Sequence, residues 1–112
     1  MSDVSIDPTI FNEIRDLMDD EIGSFIETYL DNSPGLLSGI EQALSENDLE
    51  TVFGHAHQLR GGSGSIGAMQ VFQLANELEE KARAGEAEEL EGLFKQLVDA
   101  YQRAEKELKS YI

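Results

Sequence analysis

Apolar residues recur along this chain at intervals of three and four, not at alternate positions, so the pattern predicts helices and no strand. Asp7-Pro8 reads as a helix start, with aspartate at the N-cap and proline at the first helical position. Ile10, Phe11, Ile14, Leu17 and Met18 then outline a short amphipathic helix. From Ile22 through Phe25, Ile26, Tyr29, Leu30, Leu36, Leu37 and Ile40 to Leu44 a single helical phase persists, although Pro34 falls inside it. An interior proline costs about 3 kcal/mol. Because the phase carries straight across, the pattern predicts one kinked helix; a fresh helix capped by Ser33 is the alternative. Ser45-Glu46-Asn47-Asp48 is a turn with capping residues. Val71, Phe72, Leu74, Ala75, Leu78 and Ala82 mark a further helix, with Gly85 as its C-cap. Leu90, Leu93, Phe94, Leu97, Val98, Tyr101, Ala104 and Leu108 mark the last.

Between these lies the stretch Val52–Ala68, V-F-G-H-A-H-Q-L-R-G-G-S-G-S-I-G-A, with both histidines and five of the ten glycines. Val52, Phe53, Ala56, Leu59 and Ser63 form a helical stripe. At about 100° per residue, His55 falls on one flank of that stripe, about 80° round, and His57 about 120° round on the other side. Gly54, Gly61 and Gly64 surround His57 on this outer face, which predicts an exposed imidazole in a clearing free of side chains. Such glycines cost about 1 kcal/mol each inside a helix. Two readings therefore stand: the helix stops near Arg60 and a glycine loop follows, or something large must approach His57 closely.

The motif A-H-Q-L-R-G-G-S-G-S-I-G-A resembles the signature of histidine-containing phosphotransfer (HPt) domains, roughly A-H-x-L-K-G-S-x-x-x-[LIV]-G-A. Ala56, His57, Leu59, Gly61, Ile66, Gly67 and Ala68 match; Arg60 stands for the usual lysine and Gly62 where serine is common. Leu74 to Arg83, L-x-x-E-L-E-x-x-A-R, resembles the family's next helix. The resemblance covers essentially the whole chain. Four substantial amphipathic helices with short connections bury their stripes most simply as an antiparallel four-helix bundle, with the short additional N-terminal helix capping one end. The expected fold class is thus all-α, one domain over residues 1–112, with the phosphoacceptor helix at about 48–64.

Charge narrows the partners. Eight basic against 23 acidic residues give −15, which argues against nucleic acid. The first fifty residues carry 13 acids and a single arginine. Most of these charges read as solvated helix faces. No apolar run is long enough to span a membrane. M-S-D-V-S-I-D-P lacks the basic and apolar regions of a signal peptide. The absence of cysteine fits a cytoplasmic protein.

Several chemistries can be set aside on pattern alone. Gly62-Ser63-Gly64-Ser65-Ile66-Gly67 spells G-x-G-x-x-G, but a dinucleotide fingerprint needs a preceding strand. His55-x-His57 lacks the i,i+4 spacing of a helical metal pair, so no metal site is expected, and no catalytic triad is evident. An ordinary imidazole keeps a ring-nitrogen lone pair available at neutral pH. The resemblance then implies that His57 is the phosphoacceptor and that Glu79, 22 residues on, orients its imidazole. Arg60 would offset the phosphoryl charge. It implies reversible exchange with receiver domains of hybrid sensor kinases and response regulators. The protein would be a carrier and not an enzyme, without its own ATP or metal site and needing no cofactor, the Mg2+ being the receiver's. Candidate docking residues are Gly61, Gly64, Gln58, Ile14, Leu17, Met18, Ile22 and Phe25, each apolar one having core burial as its competing reading. A monomer is expected. The competing function is a non-phosphorylated adaptor bundle that binds a signalling partner through the same face; a third is a metal-dependent helical-bundle enzyme.

Overall fold

Caps and turns cut this chain into helices, as seen in a computed structural model that describes residues 5–112. The reading of the first residues as no signal peptide falls partly on residues 1–4, outside the described residues. Helix α1 (Pro8–Met18) begins where the Asp7 carboxylate accepts from the amides of Thr9 and Ile10. A 3-10 turn (Asp19–Glu21) leads into α2 (Ile22–Ser45), followed by α3 (Leu49–Ile66), α4 (Met69–Arg83) and α5 (Leu90–Lys109). Asp48 caps α3 through the amide and hydroxyl of Thr51, and these bonds hold its carboxyl below the usual range. Gly85, left-handed at φ 76°, follows the end of α4.

α2 to α5 form the antiparallel bundle, their stripes meeting in a core that includes Ile26, Ile40, Val52, Leu59, Leu78 and Leu97. No strand occurs among the described residues. Among the described residues no helix is long and apolar enough to cross a membrane. α1 lies over one end, where Phe11 is buried and the Asp7 amide donates to the Gly67 carbonyl at 2.8 Å.

α2 runs unbroken through Pro34, as the continuous phase predicts; Ser33 does not start a new helix. Proline has no amide to offer Leu30 one turn back. Within the same turn, the buried Ser33 hydroxyl donates to the Tyr29 carbonyl at 2.7 Å.

The glycine-rich stretch is helix, not loop: α3 continues six residues past Arg60 to Ile66. Tertiary packing outweighs the low propensity of its glycines, because Ser63 and Ile66 are fully buried and the Ser63 hydroxyl meets that of Tyr29 at 2.7 Å. The stop comes at Gly67, whose φ of 85° suits glycine; the amide of Ala68 then turns back to the Ser63 carbonyl at 2.8 Å.

Candidate functional site

That turn sets the register of α3 against α4. In an antiparallel pair, residues equally far on either side of the turn lie opposite each other. Counting from Ala68, Gly64 and Phe72 are each four residues away, Arg60 and Asn76 eight, His57 and Glu79 eleven, Phe53 and Arg83 fifteen. Three of these pairs are in direct contact or close approach, and Phe53 and Arg83 line one shallow groove.

His57 is more than half exposed, its side chain retaining 55% of its accessible surface, whereas the Glu79 side chain retains 9%. Their Nδ1 and Oε2 atoms are 3.0 Å apart. Arg60 lies between the helices: its Nε is 3.2 Å from Glu79 Oε1, and its Nη1 donates to Asn76 Oδ1 at 3.2 Å. The first contact is an ion pair without hydrogen-bond geometry, since Oε1 accepts no hydrogen bond. Arg60 Nη2 also comes within 3.3 Å of His57 Nδ1. Both approaches to Nδ1 cannot be hydrogen bonds of a neutral ring. Guanidinium only donates and carboxylate only accepts. If Nδ1 accepted from Arg60, its lone pair would face the Glu79 carboxylate at 3.0 Å. The consistent arrangement has Nδ1–H donating to Glu79, and that tautomer leaves the Nε2 lone pair as the ring's free nucleophile. Phe53, one turn before His57, stacks on its ring with 12° between planes and centroids 6.1 Å apart.

The helical arithmetic for the histidines agrees with this geometry. His55 is half-buried on the other flank, against α2, where a Cβ on Gly39 would stand 2.6 Å from its Nε2. Glycine there permits the close approach. The expected clearing needs one correction. Gly54 and Gly61 open onto empty space, but a Cβ on Gly64 would meet the Phe72 ring at 3.0 Å. Gly64 therefore serves the packing of α3 on α4, and the clearing is narrower than a single-helix count predicts.

The apolar docking candidates all stay out of the fully buried core. Leu17 keeps 86% of its surface, while Ile14, Met18, Ile22 and Phe25 are half-buried. Gln58 and Gly61 are exposed. Phe25 and Gly61 line one groove of about 230 Å3 between α2 and α3. Asn76 and the stacking of Phe53 on His57 were not foreseen. Helical spacing carries both signals, since Phe53 is four residues from His57 and Asn76 three from Glu79. Among the described residues, no three His, Cys, Asp or Glu side chains gather as a metal would need.

Residues 24–107 match the Hpt domain family. Histidine-containing phosphotransfer protein 4 of Arabidopsis thaliana is 34% identical over 107 residues, spanning 90% of this chain and 84% of that protein. The crystal structure of histidine-containing phosphotransfer protein B (HptB) from Pseudomonas aeruginosa PAO1 superposes with a TM-score of 0.94 at 26% identity. It covers 98% of this chain and 96% of that one. The histidine-containing phosphotransfer protein ZmHP2 from maize gives 0.85 over 95% of this chain and 81% of its own; at 16% identity this likeness speaks for the fold alone.

Proposed function

Since the chain belongs to the Hpt domain family, whose members are phosphoryl carriers in phosphorelays, we propose that His57 is the residue that carries the phosphoryl group. The observation that bears this reading is the pairing of an exposed ring with a buried carboxylate, His57 Nδ1 to Glu79 Oε2 at 3.0 Å. It holds one nitrogen and turns the other outward.

The reaction then follows. A receiver's phosphoaspartate comes to rest over His57, and the Nε2 lone pair attacks phosphorus. The N–P bond forms as the P–O bond to aspartate breaks, and the aspartate carboxylate leaves with the bonding electrons. No proton need move, because Nδ1 keeps its hydrogen. The ring becomes a cation, which the Glu79 carboxylate stabilises. The reverse steps deliver the group to a second receiver. Before transfer Arg60 neutralises Glu79; after it, the same guanidinium stands one helical turn from the new charge and offsets it. The Mg2+ of the exchange is the receiver's, and this chain contributes nucleophile and docking face, as a monomer in the cytoplasm. The receivers would be those of hybrid sensor kinases and response regulators, resting on Gly61, Gln58, Leu17 and the half-buried apolar residues around them.

Phosphoryl transfer from a panel of phosphorylated receivers to wild type, His55→Gln and His57→Gln tests the assignment. Acid-labile label should survive the first substitution and vanish with the second. Label that depends on His55 would overturn it, and so would a His57→Gln variant that still signals as an adaptor.

A further inference from the structure

The second half of α1 carries the most exposed large apolar residue among those described, Leu17, while the helix's one fully buried side chain, Phe11, lies in its first half. Ile6, Asp7, Ile10 and Phe11 secure the first half: Ile6 and Phe11 are buried, the Asp7 amide bonds to Gly67, and Ile10 lies where a Cβ on Gly67 would touch it at 3.3 Å. Further support comes from the far end of the chain. The Tyr111 ring packs on Phe11, with centroids 4.5 Å apart and tilted by 39°. The Arg15 guanidinium lies 5.7 Å from the Phe11 centroid and 6.0 Å from that of Tyr111. Its Nη2 donates to Asn12 at 2.8 Å, which fixes the cation on its own helix. Next to Tyr111, Ile112 reaches the first turn of α2, where its Cγ2 is 3.9 Å from a Cβ placed on Gly23. Tyr111 and Ile112 thus span the end of α1 and the start of α2, the two segments between which Leu17, Met18 and Ile22 are presented.

We infer that Tyr111 is a positioning residue for receiver docking: its ring, clasped with Phe11 and Arg15, sets the angle of α1 and so the place of Leu17. This rests on the reading of that face as the docking surface. Solvation alone gives no reason for an aromatic ring and a cation to gather against a partly exposed tyrosine. A helix with one secured end, by contrast, needs a second fixed point before it can offer an apolar side chain in a defined place. The contacts are with the ring and not with the hydroxyl, so phenylalanine should serve equally.

The test compares Tyr111→Ala, Tyr111→Phe and Leu17→Ala as acceptors. Each is labelled by a phosphorylated receiver across a range of concentrations and by a small donor, phosphoramidate, that needs no docking. Tyr111→Ala should raise the half-saturating receiver concentration roughly three- to tenfold, the scale of one aromatic pair, with kcat and phosphoramidate labelling unchanged. Amide exchange across Ile14–Met18 should quicken in the free protein, and Tyr111→Phe should match wild type throughout. Unchanged half-saturation in Tyr111→Ala overturns the inference. So does a rise without faster exchange in α1, which would make Tyr111 itself a contact. Leu17→Ala judges the premise separately: if it leaves half-saturation unaltered, α1 is not part of the docking face and the clasp has no docking role.

Discussion

At the scale of single residues, the proposed site is one imidazole with its two nitrogens given different tasks. Glu79 does this through a short contact to Nδ1 from a position that water scarcely reaches. Glu79→Ala should therefore slow transfer at saturating receiver by about tenfold or more, the scale for losing a partner that orients an imidazole. Glu79→Gln, which keeps an acceptor but not the charge, should fall between. Stopped-quench measurement of phosphohistidine formation checks this, and an unchanged rate in Glu79→Ala would remove the residue from the mechanism. The exposure of His57 was legible from helical arithmetic, but its role came from resemblance. Glu79, one acid among Glu77 and Glu80, was picked out by resemblance only. Asn76 was missed because its importance depends on which side chain stands opposite, a matter of register between helices that no single-helix pattern contains.

At the scale of elements, α3 shows why glycine content misleads when read locally. Four glycines in eleven positions favour a loop on propensity, but the buried Ser63 and Ile66 keep the helix together. The individual glycines also differ. Gly54 and Gly61 face open space, so alanine at either should stabilise the fold by up to about 1 kcal/mol in urea titrations. Alanine at Gly64 should gain less or lose, since Phe72 must give way. Gly61→Leu should fold at least as well as wild type yet accept phosphate poorly from a receiver while labelling normally with phosphoramidate. Equal loss with both donors would show that its side chain disturbs His57 itself and not the approach of a partner. The helices themselves, and the passage of α2 through Pro34, were legible because apolar phase reports burial directly. Where α3 ends depended on its neighbours.

At the scale of the whole molecule, charge and burial make two further predictions. Glu13, Asp16, Asp19, Asp20 and Glu21 are all exposed around the α1–α2 junction, and none is in an ion pair among the described residues. Arg15, the one cation in the first fifty residues, lies against Phe11 and Tyr111. This end should steer partners with a basic face, so association in stopped-flow mixing should slow as salt shortens the screening length to about 10 Å at 0.1 M. A salt-independent rate would leave these acids a solvating role only. The bundle interior also sets an alkaline limit. Burial pushes the Tyr29 hydroxyl up from 10 to about 12 and raises Tyr101 as well. For these groups the charged form is the one the fold disfavours, so their contribution to stability is complete below pH 10. It is lost as pH rises towards 12, by about 3 kcal/mol for Tyr29 alone. Urea midpoints should hold up to pH 10 and fall steeply above it, less so in Tyr29→Phe.

The division of labour between the two ring nitrogens is most directly tested by 15N NMR of the histidine side chains before and after phosphorylation. Free protein should show His57 as the Nδ1–H tautomer, and phosphorylated protein should carry the phosphoryl group on Nε2 of His57 with Nδ1 still protonated. Phosphorus on Nδ1, or on either nitrogen of His55, would contradict the account.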